Sequence, residues 1–386
     1  MKQKIYLLLF TYLAFMPHTV FFSNIYWAIS YFASQVIFGL IGASFLWKFK
    51  FDFKIAFPWL LLAGSFLFSL TGILFNSVYF EMSTITSYLN GIFLMLNSAI
   101  FFSVINSFAF ESIKFWQGIF FKFLFVCMIV GILQYFGLIN IEGARTSSNI
   151  EVSGFPLMFN RATSIFSEPS AWAHLYGLYI LLAFFLGYNW KIISIVLLSL
   201  LLSLSNSGFV FVALILFFSL LRKPITIAKI AILVFFMILV IGALLILQPY
   251  WDIVFSKFTD GEAYRNIAPL MVLKTFFDHF DIKMIFGHGI FSLKYITTYL
   301  DLSENIPTSH NSVVDILFEL GFFGLICQLF LVFKTFRGNL LLTLLFIILL
   351  SQIGYRSYQF PFLFFIYSVY IQKKKFDKVN VVNHGR

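Results

Sequence analysis

The sequence predicts an all-α integral membrane protein of about twelve transmembrane helices, with a large outer loop between the ninth and tenth. Three observations predict it. Hydrophobic residues make up 61% of the 386 residues and charged residues only 11%, against about 25% charged in soluble domains. The apolar runs are continuous over roughly 20 residues, enough for a helix to cross a bilayer, where barrel strands would alternate over about 10. Most of the basic residues fall on one side of the implied topology. The whole chain, 1–386, reads as a single polytopic membrane domain.

The helices are read at 5–22, 25–47, 55–75, 85–108, 117–138, 170–188, 191–204, 209–221, 225–248, 311–333, 339–353 and 357–371. The first follows Met1-Lys-Gln-Lys, as in a signal peptide. Pro17, His18 and Phe21-Phe22 stand where a small-residue cleavage site would be, so it is read as a retained helix. With an even count and a cytoplasmic N-terminus, both termini are cytoplasmic. The inside segments then hold 18 of the 26 Lys and Arg and three of the 16 Asp and Glu. Among short loops, Arg356 is the one basic residue left outside. The net charge of +10 is thereby accounted for by membrane orientation, and no nucleic-acid partner is needed.

Helices seven and eight do not span simply. Only 30 residues separate Lys191 from Arg222, and Ser205-Asn206-Ser207-Gly208 interrupts them. Two helices of ~14 residues reach about 21 Å each, short of the ~30 Å hydrocarbon core. The polar tip with Ser207 is therefore expected below the outer surface, where irregular backbone must be buried in protein or line a wet cavity. A short hairpin with local bilayer thinning is the plainer alternative.

Two outer segments are long: 139–169, which carries Arg161, and 249–310. Loops of this length are usually functional. The second shows helical patterning over Ala263–Phe280, with Pro269, Gly287, Gly289 and Pro307 as breakers. Cys127 and Cys327 lie in apolar runs without CxxC spacing and read as small core residues. The 56 phenylalanines are read as lipid-facing, with no function drawn from them.

Chemistry-bearing residues gather where helices meet the outer segments. In Asn160–Gly177, "NRATSIFSEPSAWAHLYG", Pro169 suits a first helical turn, with Ser167 or Glu168 as cap. Exposed N–H groups there favour anions, and Arg161 adds a bidentate phosphate donor. A structural Arg161–Glu168 salt bridge fits equally well. In "TSHNSVVDILFELGFFG", Asn311, Asp315 and Glu319 lie at i, i+4 and i+8, on one helix face. Two carboxylates in an apolar helix should face the bundle interior or water. His310 is placed to accept a proton near neutrality; alternatively Asn311 caps the helix and His310 is solvated. Arg265 in the large loop is by itself an ordinary loop charge. Tyr355-Arg356 adds a cation to the same cavity. No metal-binding pattern or phosphate loop is present in the sequence, and no cofactor is expected.

Several stretches together resemble one family. "NRATSIFSEPSAWAHLY" is similar to the arginine-containing segment of bacterial O-antigen polymerases and ligases. "LSLSNSGFVFVALIL" resembles their short hairpin, without its usual arginine beside Ser207. "IFGHGIFS" resembles their Gly-rich turn, and "SHNSVVDILFELGFFGLI" their His-Asn segment. The resemblance runs from about Lys122 to Phe333.

It implies a GT-C-like membrane glycosyltransferase acting on undecaprenyl-diphosphate-linked glycans at the outer face of the bacterial inner membrane. A chain-length regulator and a flippase of the same pathway are implied partners, beside membrane lipids. Carried over, the catalytic residues are Arg161, Arg265, His310 and Glu168. Asn311, Asp315, Arg356 and Ser207 are expected to bind substrate. Within the family the "SIFSEPS" stretch favours a repeat-unit polymerase over a ligase to lipid A-core. A lipid-linked oligosaccharide flippase would need basic residues deep in the helices, and here they cluster at helix ends and in outer loops.

Overall fold

The computed structural model describes residues 1–49, 51–74, 82–142, 147–152, 155–160, 163–167, 169–186, 264–278, 282–290, 292–293, 311–337 and 339–384. The helices read at 191–204, 209–221 and 225–248, with Ser207 between the first two, lie outside the described residues. The described chain is helical apart from one β-hairpin: α1 (Lys2–Phe15), α2 (Ile25–Leu46), α3 (Phe53–Leu74), α4 (Met82–Ile105), α5 (Phe110–Tyr135), β1 (Ser147–Val152), β2 (Phe155–Asn160), α6 (Pro169–Leu186), α7 (Tyr264–Asp278), α8 (Ile282–Phe286), α9 (Ser312–Thr335), α10 (Leu340–Gln352) and α11 (Gln359–His384). Among the described residues, five helices are long and apolar enough to cross a membrane: α2, α3, α4, α5 and α9.

Local chemistry sets the ends. Asn24 caps α2 by accepting from Tyr26 N at 2.9 Å, and Asp52 accepts from Lys54 N and Ile55 N ahead of α3. The first helix is shorter than the 5–22 read from hydropathy. It leaves α geometry at Phe15 and continues as 3₁₀ turns over Met16–His18 and Val20–Ser23, because Pro17 lacks the N–H that another α turn would need. Pro269 stands inside α7 and does not end it. It falls in the second turn, where its missing N–H leaves the Arg265 carbonyl without its helical donor. The 139–169 segment, read as loop, contains the antiparallel hairpin, with Ser147 opposite Asn160 and Val152 opposite Phe155.

The phenylalanines do more than face lipid. Many fill the interior: Phe10 stacks on Phe101 at 4.1 Å, Tyr6 on Phe38 at 4.3 Å and Trp59 on Phe102 at 4.8 Å. The first half of α11, Phe360–Ile366, is fully buried beside them. Such aromatic pairs add about 0.5–1.5 kcal/mol each beyond area burial. Exposed Ile29, Phe32, Val36 and Leu40 on α2 form the apolar outer surface that lipid requires. Both cysteines are free and buried, as expected.

Hydrogen bonds define the two ends of the bundle. At one, Gln3 Oε1 accepts from Ala109 N and Ser112 Oγ, Gln372 Nε2 donates to Ile105 O, and Lys373 Nζ donates to Leu186 O. Lys2, Lys4, Lys114 and Lys373–Lys375 make this the basic end. At the other, His18 lies 3.1 Å from Ser357 Oγ, and Val20 N donates to Ile165 O. The 163–167 stretch, the 3₁₀ turns after α1 and the turn before α11 therefore meet at one end.

Candidate active site

The site is built around a break in α9. Gly321 adopts φ +69, ψ −172 inside this helix, a conformation open essentially only to glycine. The break releases the Phe318 and Glu319 carbonyls from the helical ladder. A carbonyl freed at membrane depth must find another donor. The turn after α8 supplies two: His288 N donates to Phe318 O at 2.9 Å and Gly289 N to Glu319 O at 3.0 Å. The His288 ring lies flat on Phe318, centroids 4.2 Å apart. Tyr88 of α4 holds the same turn, its hydroxyl accepting from Ile290 N at 2.8 Å and from Ser69 Oγ at 3.1 Å.

The half-helix before the break carries the charge. Asn311 Oδ1 caps α9, accepting from Val313 N at 3.1 Å and Val314 N at 3.4 Å. Asp315 and Glu319 are buried, the latter completely. Tyr355 donates its hydroxyl proton to Glu319 Oε2, and Arg356 Nη1 lies 3.5 Å from Glu319 Oε1, its own side chain 22% exposed. Burial alone would lower the Arg356 pKa, but Glu319, then Tyr355 and Asp315, outweigh it and hold the guanidinium above the usual arginine value. Burial, and next Glu319, push the Tyr355 phenol well above its usual value, so it stays a donor. Ser312 Oγ donates to Ile353 O at 2.6 Å, pinning the start of α9 to the end of α10.

A third segment joins at this end. Thr163–Ser167 follows the hairpin and runs beside the 3₁₀ turns, with Thr19 bridged to Phe166 and Ser167 donating through both N and Oγ to His18 O. Gln134, buried near the end of α5, grips it. Its Oε1 accepts from Ser164 N at 2.6 Å and Thr163 N at 3.2 Å, and its Nε2 donates to Ser164 O at 2.8 Å. Ser357, beside Arg356, contacts His18. Thus α9, the α10–α11 turn and the 163–167 segment are linked through named bonds.

Residues 191–329 match the family model described as O-antigen ligase. The chain resembles the O-antigen ligase/polymerase family. The match covers a little over a third of the 386 residues. No curated protein matches the chain. With its apolar helices, the O-antigen ligase resemblance makes this a multi-pass membrane protein.

Against that family, the sequence-predicted residues fall as follows. Asp315 and Arg356 are brought to one cluster with Glu319 and Tyr355 from the stretches already singled out, and Asn311 caps the helix one turn before Asp315. Arg265 is in the first turn of α7, which packs on α9 through Val272 and Phe276 against Val314, Leu317 and Phe318. Arg161, Glu168, His310 and Ser207 lie outside the described residues. For the first three the flanking residues are described: β2 ends at Asn160, α6 opens at Pro169 as expected, and α9 is capped at Asn311. Sequence reasoning missed His18, Tyr88 and Gln134, single polar residues in apolar runs whose partners are far away in the chain.

Proposed function

We propose that this protein is a glycosyltransferase of the bacterial inner membrane. It transfers a growing glycan from undecaprenyl diphosphate to the next lipid-linked repeat unit, with both termini cytoplasmic and the site facing the periplasm. The observation that carries the reading is the span of the family match. It includes α7, the Gly-His-Gly turn and the half-helix with Asn311, Asp315 and Glu319.

The acceptor hydroxyl attacks the anomeric carbon of the donor sugar. A new glycosidic bond forms, the bond to the diphosphate oxygen breaks, and the lipid diphosphate leaves with the electron pair. Arg161 and Arg265 stabilise the charge on that leaving group. Losing one such donor costs about 10²–10³ in rate. The acceptor proton passes to His310 or Glu168. Arg356, fixed by Glu319, and Asn311 and Asp315 hold substrate at the mouth of the broken helix, with Ser207 from the hairpin tip. No metal is needed. A chain-length regulator and a flippase would work beside it.

A second reading is a ligase that delivers the glycan to lipid A-core. The description of the matching family favours it, while "SIFSEPS" favours the polymerase. Reconstitution with undecaprenyl-diphosphate-linked repeat units separates them. A product ladder from these units alone means a polymerase; transfer only when lipid A-core is supplied means a ligase. No transfer to either acceptor overturns both.

A further inference from the structure

The basic end holds a pocket that the glycan-transfer chemistry does not use. It is a cavity of about 280 Å³ between α3, the end of α4, the end of α9 and α11. Its floor is aromatic and buried: Trp59, Phe102 and Phe364, with Trp59 stacked on Phe102 and edge-on to Phe364. Its rim is polar and exposed, formed by Lys54 on α3, Asn106 after α4 and Lys334 on α9. Pro58 in the wall has no N–H to return to the Lys54 carbonyl, which loosens the first turn of α3. No ion pair is formed by either lysine among the described residues.

An apolar floor, two cations at the mouth and a place at a helix end together describe a headgroup site. Basic pockets between membrane helices on the cytoplasmic side recognise anionic lipid headgroups. Long lysine stems lie along apolar surface while their charge reaches the headgroup layer. We propose that this pocket binds an anionic phospholipid of the bilayer, its phosphate held between Lys54 and Lys334 and its acyl region against the aromatic floor. Charge complementarity selects this occupant over a zwitterionic lipid. The inference rests on membrane insertion and is independent of which glycan acceptor is used.

Native mass spectrometry of the full chain in neutral detergent tests it, with cardiolipin as probe and phosphatidylcholine and inorganic phosphate as comparisons. Cardiolipin is expected to bind in preference to both. Lys54→Ala/Lys334→Ala should weaken it about 25-fold, at roughly fivefold per lysine. Lys54→Arg/Lys334→Arg should retain it, and Lys374→Ala/Lys375→Ala, which removes the same charge elsewhere at that end, should change it little. Equal binding of phosphatidylcholine, binding of phosphate alone as tight as cardiolipin, or undiminished cardiolipin binding by the alanine pair would overturn the proposal.

Discussion

Gly287 and Gly321 meet so closely that neither has room for a side chain. A Cβ on Gly321 would lie 2.5 Å from Gly287 N, and one on Gly287 would lie 2.5 Å from Leu320 N. Both residues have positive φ. This contact lets the turn after α8 dock into the break in α9 and satisfy the carbonyls of Phe318 and Glu319. It thereby fixes the height at which Glu319 meets Tyr355 and Arg356.

The first prediction follows from that contact. Gly321→Ala forces a Cβ into a conformation that costs about 1–3 kcal/mol, before the clash with the facing turn is counted. Thermal unfolding in detergent should show a clearly lowered midpoint, and Gly287→Ala the same. Gly64→Ala, where an added Cβ meets nothing within 4 Å, should be neutral. Equal midpoints for all three would remove the claim that the break is held by close backbone approach.

Glu319 anchors the charge cluster. Glu319→Ala leaves Arg356 without its carboxylate and Tyr355 without its acceptor. Breaking a buried pair costs about 3–5 kcal/mol, and the partial exposure of Arg356 puts this case at the lower end. Tyr355→Phe removes one neutral donor to a charged acceptor and should cost about 1.5–3 kcal/mol. A double-mutant cycle on unfolding free energy should show the two effects to be non-additive, because both act on the same carboxylate. Additive losses would mean that the two residues act separately.

Much of this arrangement was legible in the sequence. The spacing of Asn311, Asp315 and Glu319 put them on one face, and the cost of carboxylates in an apolar helix turned that face inward. Helical patterning placed α7, and Pro169 marked the start of α6. The hairpin's mark in the sequence was Ser153-Gly154 between two six-residue runs, a dipeptide easily passed over inside a long loop. What could not be read were pairings between distant single residues: Gln134 with Ser164, Tyr88 with Ile290, His18 with Ser357. Each is an isolated polar residue whose meaning depends on which helices become neighbours. The break at Gly321 was hidden too, because an isolated glycine in an apolar helix carries no mark of its φ.

Gln134 supports a third prediction. It holds the segment between Arg161 and Glu168, so its loss should act on transfer through their position. Gln134→Met keeps the volume but strips the bonds to Thr163 and Ser164, leaving buried groups unpaired at about 1–3 kcal/mol each. Glycan transfer should fall, with the larger change in apparent affinity for the lipid donor. Gln134→Glu keeps Oε1 as acceptor but turns the donor to Ser164 O into an acceptor, so transfer should fall there too. Transfer unaffected by Gln134→Met would separate this segment from the site.

Sidedness gives the last prediction. The two free cysteines are buried, so single exposed cysteines can be introduced against a quiet background. Ser23→Cys, exposed just before α2 at the end where Arg356 lies, should react with a membrane-impermeant maleimide added outside spheroplasts. Arg337→Cys, exposed after α9 near Lys334, should react only after the membrane is permeabilised. That result places the Glu319–Arg356 cluster on the periplasmic side, where the proposed function needs it to meet a lipid-linked donor. The reverse pattern would put the cluster in the cytoplasm. It would break the link between this site and externally presented donors, even if the family resemblance stood.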